Sequence, residues 1–328
     1  MPGETTHEAF NNLPHHLYTS DSPRFQLGNE PVSTHLTGCY VLWQNEVPVG
    51  RFAFYENPGL QYQHSLAACI GSYECKNDPA VSQKLIEEAI TLAKSKGYSW
   101  VIGPMEGSTW NNYRFSTHHQ QASFFMEPYH HLYYNDQFIQ AGFKPIANYY
   151  SNLDQSLEYD AQALAQAKKG YEEEGAVFRS IDMENFEDDL KKIGQLSISG
   201  FAENFLYTPI SVDEFVSKYA RLKQFFDPKL ITIVEDAQGE LQALSFNIKN
   251  FNDPSGKSMI VKSLMRSKSC VFKGVGSYLV GKTTQTAKEM GFEQVIHAFI
   301  IRGNASQNIS EKYSANEYKS YALYGLKL

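Results

Sequence analysis

Residues 274–283 read Gly274-Val275-Gly276-Ser277-Tyr278-Leu279-Val280-Gly281-Lys282-Thr283. Two glycine patterns overlap here, and each implies a different fold. From Gly276 onward the stretch fits G-x-x-x-x-G-K-[ST], a loop whose backbone N–H groups wrap nucleotide phosphates. From Gly274 it reads instead as a short Gly-x-Gly turn that opens a helix. The residues between Gly276 and Gly281 decide. They are bulky, and Leu279, Thr283, Ala287 and Met290 continue at i, i+4, i+8 and i+11, one face of a running helix. That predicts Lys282 and Thr283 inside the helix, with Lys282 solvated, not at its start. Only 45 residues follow Thr283, with one clear strand, FEQVIHAFI, and no terminal Asp to complete a magnesium site. The second pattern is preferred.

Its chemistry is simple. A strand over 258–266 ends, the loop SKSCVFKGVG follows, and a helix over 276–290 begins. Gly274 and Gly276 remove side chains where a pyrophosphate would approach the backbone. The first-turn N–H groups and the positive end of the helix dipole attract the anion, and Lys273 adds charge. Position 279 is Leu, so the dinucleotide fingerprint G-x-G-x-x-G is not met.

The chain has 328 residues, 42% of them apolar, with Tyr and Phe at 21 each. That suffices for about two domains with aromatic-rich cores. A net charge of -7 argues against a general nucleic-acid or anionic-membrane binder. No signal-peptide pattern opens the sequence, and no apolar run approaches the ~20 residues that span a bilayer. Cys39, Cys69, Cys75 and Cys270 form no C-x-x-C pair. The expectation is a cytoplasmic protein with reduced, buried thiols. His15-His16 and His130-His131 invite a metal, but adjacent residues rarely both ligate one ion and no spacing supports it. No metal is expected.

The region around the glycines recurs. Residues 93–102, AKSKGYSWVI, and 287–296, AKEMGFEQVI, share A-K-x-x-G-aromatic-x-x-V-I at an offset of 194. Each reads as a helix end, a glycine stop and a buried strand. Hairpin-like segments at 40–57 and 231–250 precede them. Ordered matches at nearly one offset indicate two copies of one fold. The expected division is 1–155, a charged Ala-rich helical connector over 156–174, and 175–328.

The order of strand, Gly-x-Gly loop, helix, Gly-Phe, strand, Asn-containing short helix and Tyr-rich last strand resembles the GNAT superfamily of acyl-CoA-dependent N-acyltransferases. The family motif [QR]-x-x-G-x-[GA] lands on Val271-Phe272-Lys273-Gly274-Val275-Gly276. Both glycines match, while the leading Gln or Arg is replaced by Val271. The likeness covers most of 175–328 and, more loosely, 35–155. It extends to bacterial proteins with two tandem domains of this kind, some carrying the same Gly103-Pro104-Met105. The implied fold class is α+β: two tandem GNAT-like domains, each a mixed, mostly antiparallel twisted sheet flanked by helices.

The resemblance implies direct transfer from acetyl-CoA or another acyl-CoA to a small-molecule or peptide amine. Backbone groups of Leu264, Met265 and Arg266 would hold the thioester arm. Lys273, Gly274, Val275, Gly276, Ser277 and Tyr278 would seat the pyrophosphate, with Asn304 nearby. An acid must protonate the leaving thiolate. Anchoring the closing motif on Asn304 puts that acid at Glu311, and anchoring it on Glu311-Lys312 puts it at Ser310. Neither is Tyr, so Tyr313 is the candidate beside Ser310. Glu203 and Tyr207 sit where relatives gather substrate contacts. His297, on a strand, is read as a core histidine. A catalytically inactive tandem fold that binds a ligand or partner is the alternative.

In the first copy, Ala80 and Ser82 replace Gly274 and Gly276, behind Asp78 as N-cap and Pro79 at the first helical position. The Cβ atoms and the carboxylate oppose a phosphate there. This copy is expected not to bind CoA in the family's way. It carries instead an aromatic, polar cluster. Trp110, Asn111, Tyr113 and Arg114 are its substrate candidates. Tyr129, His130, His131, Tyr133 and Tyr134 serve equally well as pocket lining or as ordinary core.

Overall fold

The computed structural model describes residues 4–302 and 316–328. The chain divides into two compact units. The first takes the chain up to Tyr149 and adds Phe205–Thr208 and Lys319–Leu328. The second comprises Tyr150–Asn204 and Pro209–Tyr318.

The first unit opens with α1 (Glu4–Leu17), β1 (Leu36–Gln44) and β2 (Val47–Tyr55). The short β3 (Gln61–Tyr62), β4 (Ser65–Cys75), α2 (Pro79–Ser95) and β5 (Trp100–Gly103) follow. Next come β6 (Phe115–Ser116), α3 (Tyr133–Gln140) and the start of β7 (Lys144–Asp154). The second unit receives the end of β7, then α4 (Ala161–Glu173), β8 (Val177–Ser180), α5 (Phe186–Gly200) and α6 (Val212–Ala220). It continues through β9 (Ile231–Glu235), β10 (Leu241–Lys249), β11 (Ser258–Arg266), α7 (Val275–Glu289) and β12 (Gln294–Ile301). The last strand, β13 (Asn316–Lys327), runs into the first unit.

Both units repeat one strand order. β1, β2, β4 and β5 are successive neighbours in the first, as β9, β10, β11 and β12 are in the second. In each, antiparallel strands lead to one parallel pair, and a helix makes the crossover. The helices end alike. Gly97 and Gly291 are both left-handed, at φ +80°. The N–H of Tyr98 reaches Ala93 O at 3.1 Å, and that of Phe292 reaches Ala287 O at 2.9 Å. This closure returns the chain to the sheet at the same offset of 194 that the sequence displays. On α2, Val81, Leu85, Ile86, Ala89 and Ala93 are buried, one face at helical spacing. They pack with Phe52, Phe54, Ile70, Phe138 and Phe143.

Three features depart from the sequence reading. The sequence pattern does not announce α1, which buries Phe10 and Leu13. The segment 156–174 is more than a connector: Leu164, Ala167 and Tyr171 of α4 pack on the cluster of Phe272, Val275, Tyr278 and Leu279. Third, β13 pairs antiparallel with β5, Tyr324 opposite Gly103 and Lys327 opposite Trp100. The C-terminal strand thus completes the first unit. All four cysteines are free thiols; Cys69 and Cys75 are buried, while Cys39 and Cys270 are only half-buried. No helix among the described residues is long and apolar enough to cross a membrane.

β13 is tied in by a buried ion pair. Lys319 Nζ donates to Glu127 Oε2 at 2.6 Å, with side chains 1% and 2% exposed. Tyr321 OH donates to Glu127 Oε1 at 2.8 Å, and Phe124 N–H to Oε2 at 3.2 Å. Removing one partner leaves an uncompensated buried charge. Lys319→Met is expected to lower the unfolding free energy by about 3–5 kcal/mol in urea titrations, and a paired Glu127→Leu/Lys319→Met change to recover most of it.

Burial also sets an acid limit. His130 is 6% exposed, and burial pushes its imidazole down to about 3, opposed by the hydrogen bond from Nε2 to Ser116 O. The unfolded chain binds this proton near pH 6.5, so stability falls as pH drops from there toward 3. The slope is at most about 1.4 kcal/mol per pH unit. His130→Asn should flatten that acid limb when unfolding is followed across pH.

Candidate functional site

In the second unit β11 and β12 run parallel only from Ser258 opposite Gln294 to Val261 opposite His297. Beyond Val261 the strands part. Leu264, Met265 and Arg266 lie on the parted segment, still paired with β10 opposite Ser245, Leu244 and Ala243. Their edge toward β12 is not in a ladder with it. Phe299 marks the same point on β12: its φ is +59°, rare for a residue with Cβ, and its N–H donates to Ser151 Oγ at 3.1 Å. No residue pattern announces this kink, because it depends on Ser151, far away in sequence.

The chain then turns through 267–274 into α7. Gly274 is the N-cap, left-handed at φ +84°, with no side chain capping the helix. An added Cβ at Gly274 would meet Tyr171 Oη at 3.3 Å. At Gly276 it would meet nothing within 4 Å. The first turn of α7 carries no acidic residue, and Lys273 and Ser277 are exposed beside it. Val275 and Tyr278 are buried, and their N–H groups donate to Phe272 O at 3.4 Å and Gly274 O at 3.2 Å. Tyr171 OH donates to Lys273 O at 3.0 Å, pinning the turn from α4. Burial first, then Glu172, raises the Tyr278 phenol to about 12. Glu172 is itself paired with Lys168 at 3.1 Å. Position 271, where the resemblance asks for Gln or Arg, is Val, 69% exposed.

The G-K-T that suggested a nucleotide loop lies inside α7. Gly281 is where α4 presses closest: a Cβ there would stand 2.8 Å from Leu164 Cδ2. Thr283 is buried, its hydroxyl 2.8 Å from Ser245 Oγ. Lys282 is half-buried rather than fully solvated, 3.4 Å from Gln285 Oε1. Gly281 and Thr283 have a packing role, Lys282 bonds within its own helix, and none of the three ends a phosphate loop.

The counterpart in the first unit differs. Asp78 Oδ1 accepts from Ala80 N–H at 3.0 Å and Val81 N–H at 3.4 Å. The start of α2 is thus occupied by the chain's own carboxylate.

The structure groups the remaining candidates unevenly. Trp110 and Tyr207 meet edge to face at 5.9 Å, and Trp110 Nε1 donates to Thr208 O at 2.9 Å. Arg114 stacks on Tyr113 at 3.8 Å and on Tyr149 at 4.4 Å. Asn111 Nδ2 donates to Glu106 O at 2.8 Å, closing a turn. All of these stand in the first unit. Glu203 belongs to the second, exposed and paired with Lys268, which holds its carboxyl below the usual range. His297 is buried and pushed down by burial, in keeping with a core histidine. His131 stacks on Tyr18 at 4.1 Å and donates to Leu17 O. Asn304, Ser310, Glu311 and Tyr313 lie outside the described residues.

No protein-family model and no curated protein sequence matches this chain. Solved structures do. A GCN5-related glucosamine N-acetyltransferase region in a fungal multi-domain GH3 β-N-acetylglucosaminidase aligns over 86% of this chain and 32% of that one, with 11% identity and a TM-score of 0.56. This chain therefore spans about a third of that enzyme's length. A tandem GNAT protein from the clavulanic acid biosynthesis pathway aligns over 91% of this chain and 84% of its own, at 11% identity and TM-score 0.53. A probable N-acyltransferase from Enterococcus faecalis aligns over 100% and 71%, at 8% identity and TM-score 0.53. The fold is that of tandem GNAT proteins, a mixed sheet with flanking helices in each unit.

The packing account of G-K-T has a direct check. Gly281→Val should cost about 1–3 kcal/mol by overpacking against Leu164. Lys282→Ala should stay within about 0.5 kcal/mol of the parent in the same denaturation assay.

Proposed function

We propose that the chain is an acyl-CoA-dependent N-acyltransferase whose second unit takes the acyl donor. One observation carries this reading. A strand parts from its parallel neighbour, and the next helix opens on an uncapped, left-handed Gly274 with open space at Gly276. Strand backbone outside a parallel ladder and a helix start that carries no carboxylate are what an extended thioester arm ending in a pyrophosphate needs. Leu264, Met265 and Arg266 would hold the arm. Gly274, Val275, Gly276, Ser277 and Tyr278, with Lys273, would seat the pyrophosphate. The donor supplies an activated carbonyl, which a neutral amine attacks. Tyr313 or Ser310 is the candidate acid for the thiolate. The likeness to tandem GNAT structures supports the fold this reading requires. The acceptor is a small-molecule or peptide amine.

Val271 favours a second reading, a tandem fold that binds acyl-CoA or another ligand without turning it over. The two part on release of free thiol from acetyl-CoA in the presence of an amine panel.

Calorimetry with acetyl-CoA tests the binding step. Wild type should bind, and Gly276→Glu should weaken binding by roughly tenfold or more, because it fills the open space and adds negative charge at the helix start. Thermal melting of the variant guards against misfolding. Folded wild type that fails to bind acetyl-CoA removes the proposal. Magnesium-dependent ATP binding would restore the nucleotide-loop reading.

A further inference from the structure

The first unit contains a cavity of about 90 Å³ at the place where its own parallel strands part. β4 and β5 pair only from Ala67 opposite Trp100 to Cys69 opposite Ile102. Past Cys69, the Met105 N–H bonds Ile70 O at 2.9 Å. Gly71 is needed for this approach, since a Cβ there would stand 2.7 Å from Met105 O. Ser72 then kinks left-handed at φ +47°. The cavity opens beside that kink, among Arg24, Arg51, Ser72, Glu74, Glu106 and Asn112.

Two of these groups are buried and incompletely answered. Arg51 is fully buried, 0% exposed. Its Nη1 donates to Phe10 O and to Asn29 O, and its guanidinium lies over the Phe10 ring at 4.5 Å. Its Nε and Nη2 make no hydrogen bond. These two nitrogens form the side-on edge of the guanidinium, the edge that grips a carboxylate with two parallel bonds. The nearest acid does not fill it. Glu74 Oε1 is 3.8 Å from Nη2, and that carboxylate is already engaged by Arg24 Nε, Tyr18 OH and Tyr134 OH. Burial pulls Arg51 down to about 10, so it remains a cation at neutral pH. Glu106, 7% exposed, accepts from Ser72 Oγ at 2.7 Å and Asn112 Nδ2 at 3.2 Å, both neutral donors. Burial raises its carboxyl. A buried guanidinium edge and a buried carboxylate served only by neutral donors are costly to maintain without an occupant.

We infer that this cavity binds a small α-amino acid, its carboxylate on the Nε–Nη2 edge of Arg51 and its ammonium toward Glu106. The volume suits a molecule the size of glycine, alanine or serine. The half-exposed kink at Ser72 and the exposed Asn112 leave an entrance. The site lies within the first unit and needs no acyl-CoA, so it stands apart from the acyltransferase proposal.

Calorimetry on the full chain, without any acyl-CoA, tests it with glycine, L-alanine and L-serine. Ethanolamine, lacking the carboxylate, and L-lactate, lacking the amine, are the controls. An amino acid should bind saturably, and either control should bind at least about tenfold more weakly. Glu106→Gln keeps bonding capacity toward Ser72 and Asn112. It should selectively weaken the amino acid and narrow its margin over L-lactate. Arg51→Lys should abolish the preference for a carboxylate; because Arg51 also holds Phe10 O, its melting curve is read beside it. Absence of binding by all three amino acids overturns the assignment. So does equal affinity for L-alanine and L-lactate, or Glu106→Gln leaving their ratio unchanged.

Discussion

Two parallel strands that stop pairing leave backbone N–H and C=O groups that must find other partners. This constraint organises both units. Pairing between β4 and β5 ends after Cys69, and pairing between β11 and β12 ends after Val261. Each opening is held apart by backbone in the left-handed region, at Ser72 in one and Phe299 in the other. Neither residue is a glycine, so each must be held there by its surroundings. Phe299 is held through Ser151 Oγ. Beside Ser72 the loop after β5 folds back and bonds Ile70 O. A cleft between strands is thus a product of the sheet, and side chains decide what it accepts.

Much of this architecture was legible in the sequence. The repeated A-K-x-x-G ending encodes a helix stop that both units form with equivalent hydrogen bonds. The apolar spacing after Gly276 encodes a helix too early for a nucleotide loop, and Gly276–Thr283 is helical. Asp78-Pro79 reads as a capped helix start and is one. These signals are local: each is settled within one or two turns of chain.

What stayed hidden depends on distant partners. Lys319 and Glu127 look like ordinary surface charges in sequence, yet they form a buried pair that ties β13 to the first unit. Arg51 sits in an apolar run, VGRFAFY, where alternation would send it to solvent; the α1 carbonyl of Phe10 draws it inward. α4 looked like a charged connector because it buries no residue fully. Its stripe of Leu164, Ala167 and Tyr171 nonetheless packs on the core below α7 and fixes the glycine turn. Composition cannot distinguish such a stripe from a solvated face.

The two units answer a common electrostatic problem differently. A helix that starts beside an open sheet presents a positive end to the cleft. In the first unit that end is neutralised by Asp78, so an external anion there would have to displace bonds to Ala80 and Val81 and face a carboxylate. A positive group lies instead within the sheet, where the buried Nε and Nη2 of Arg51 make no hydrogen bond. In the second unit no carboxylate occupies the first turn, and the space beside Gly276 is open. Amides at a helix start suit the diffuse charge of a phosphate, while a guanidinium edge suits a planar carboxylate. The copies have therefore not simply kept and lost one site. Each carries a positive group in a different part of the same fold, and the chemistry of that group differs between them.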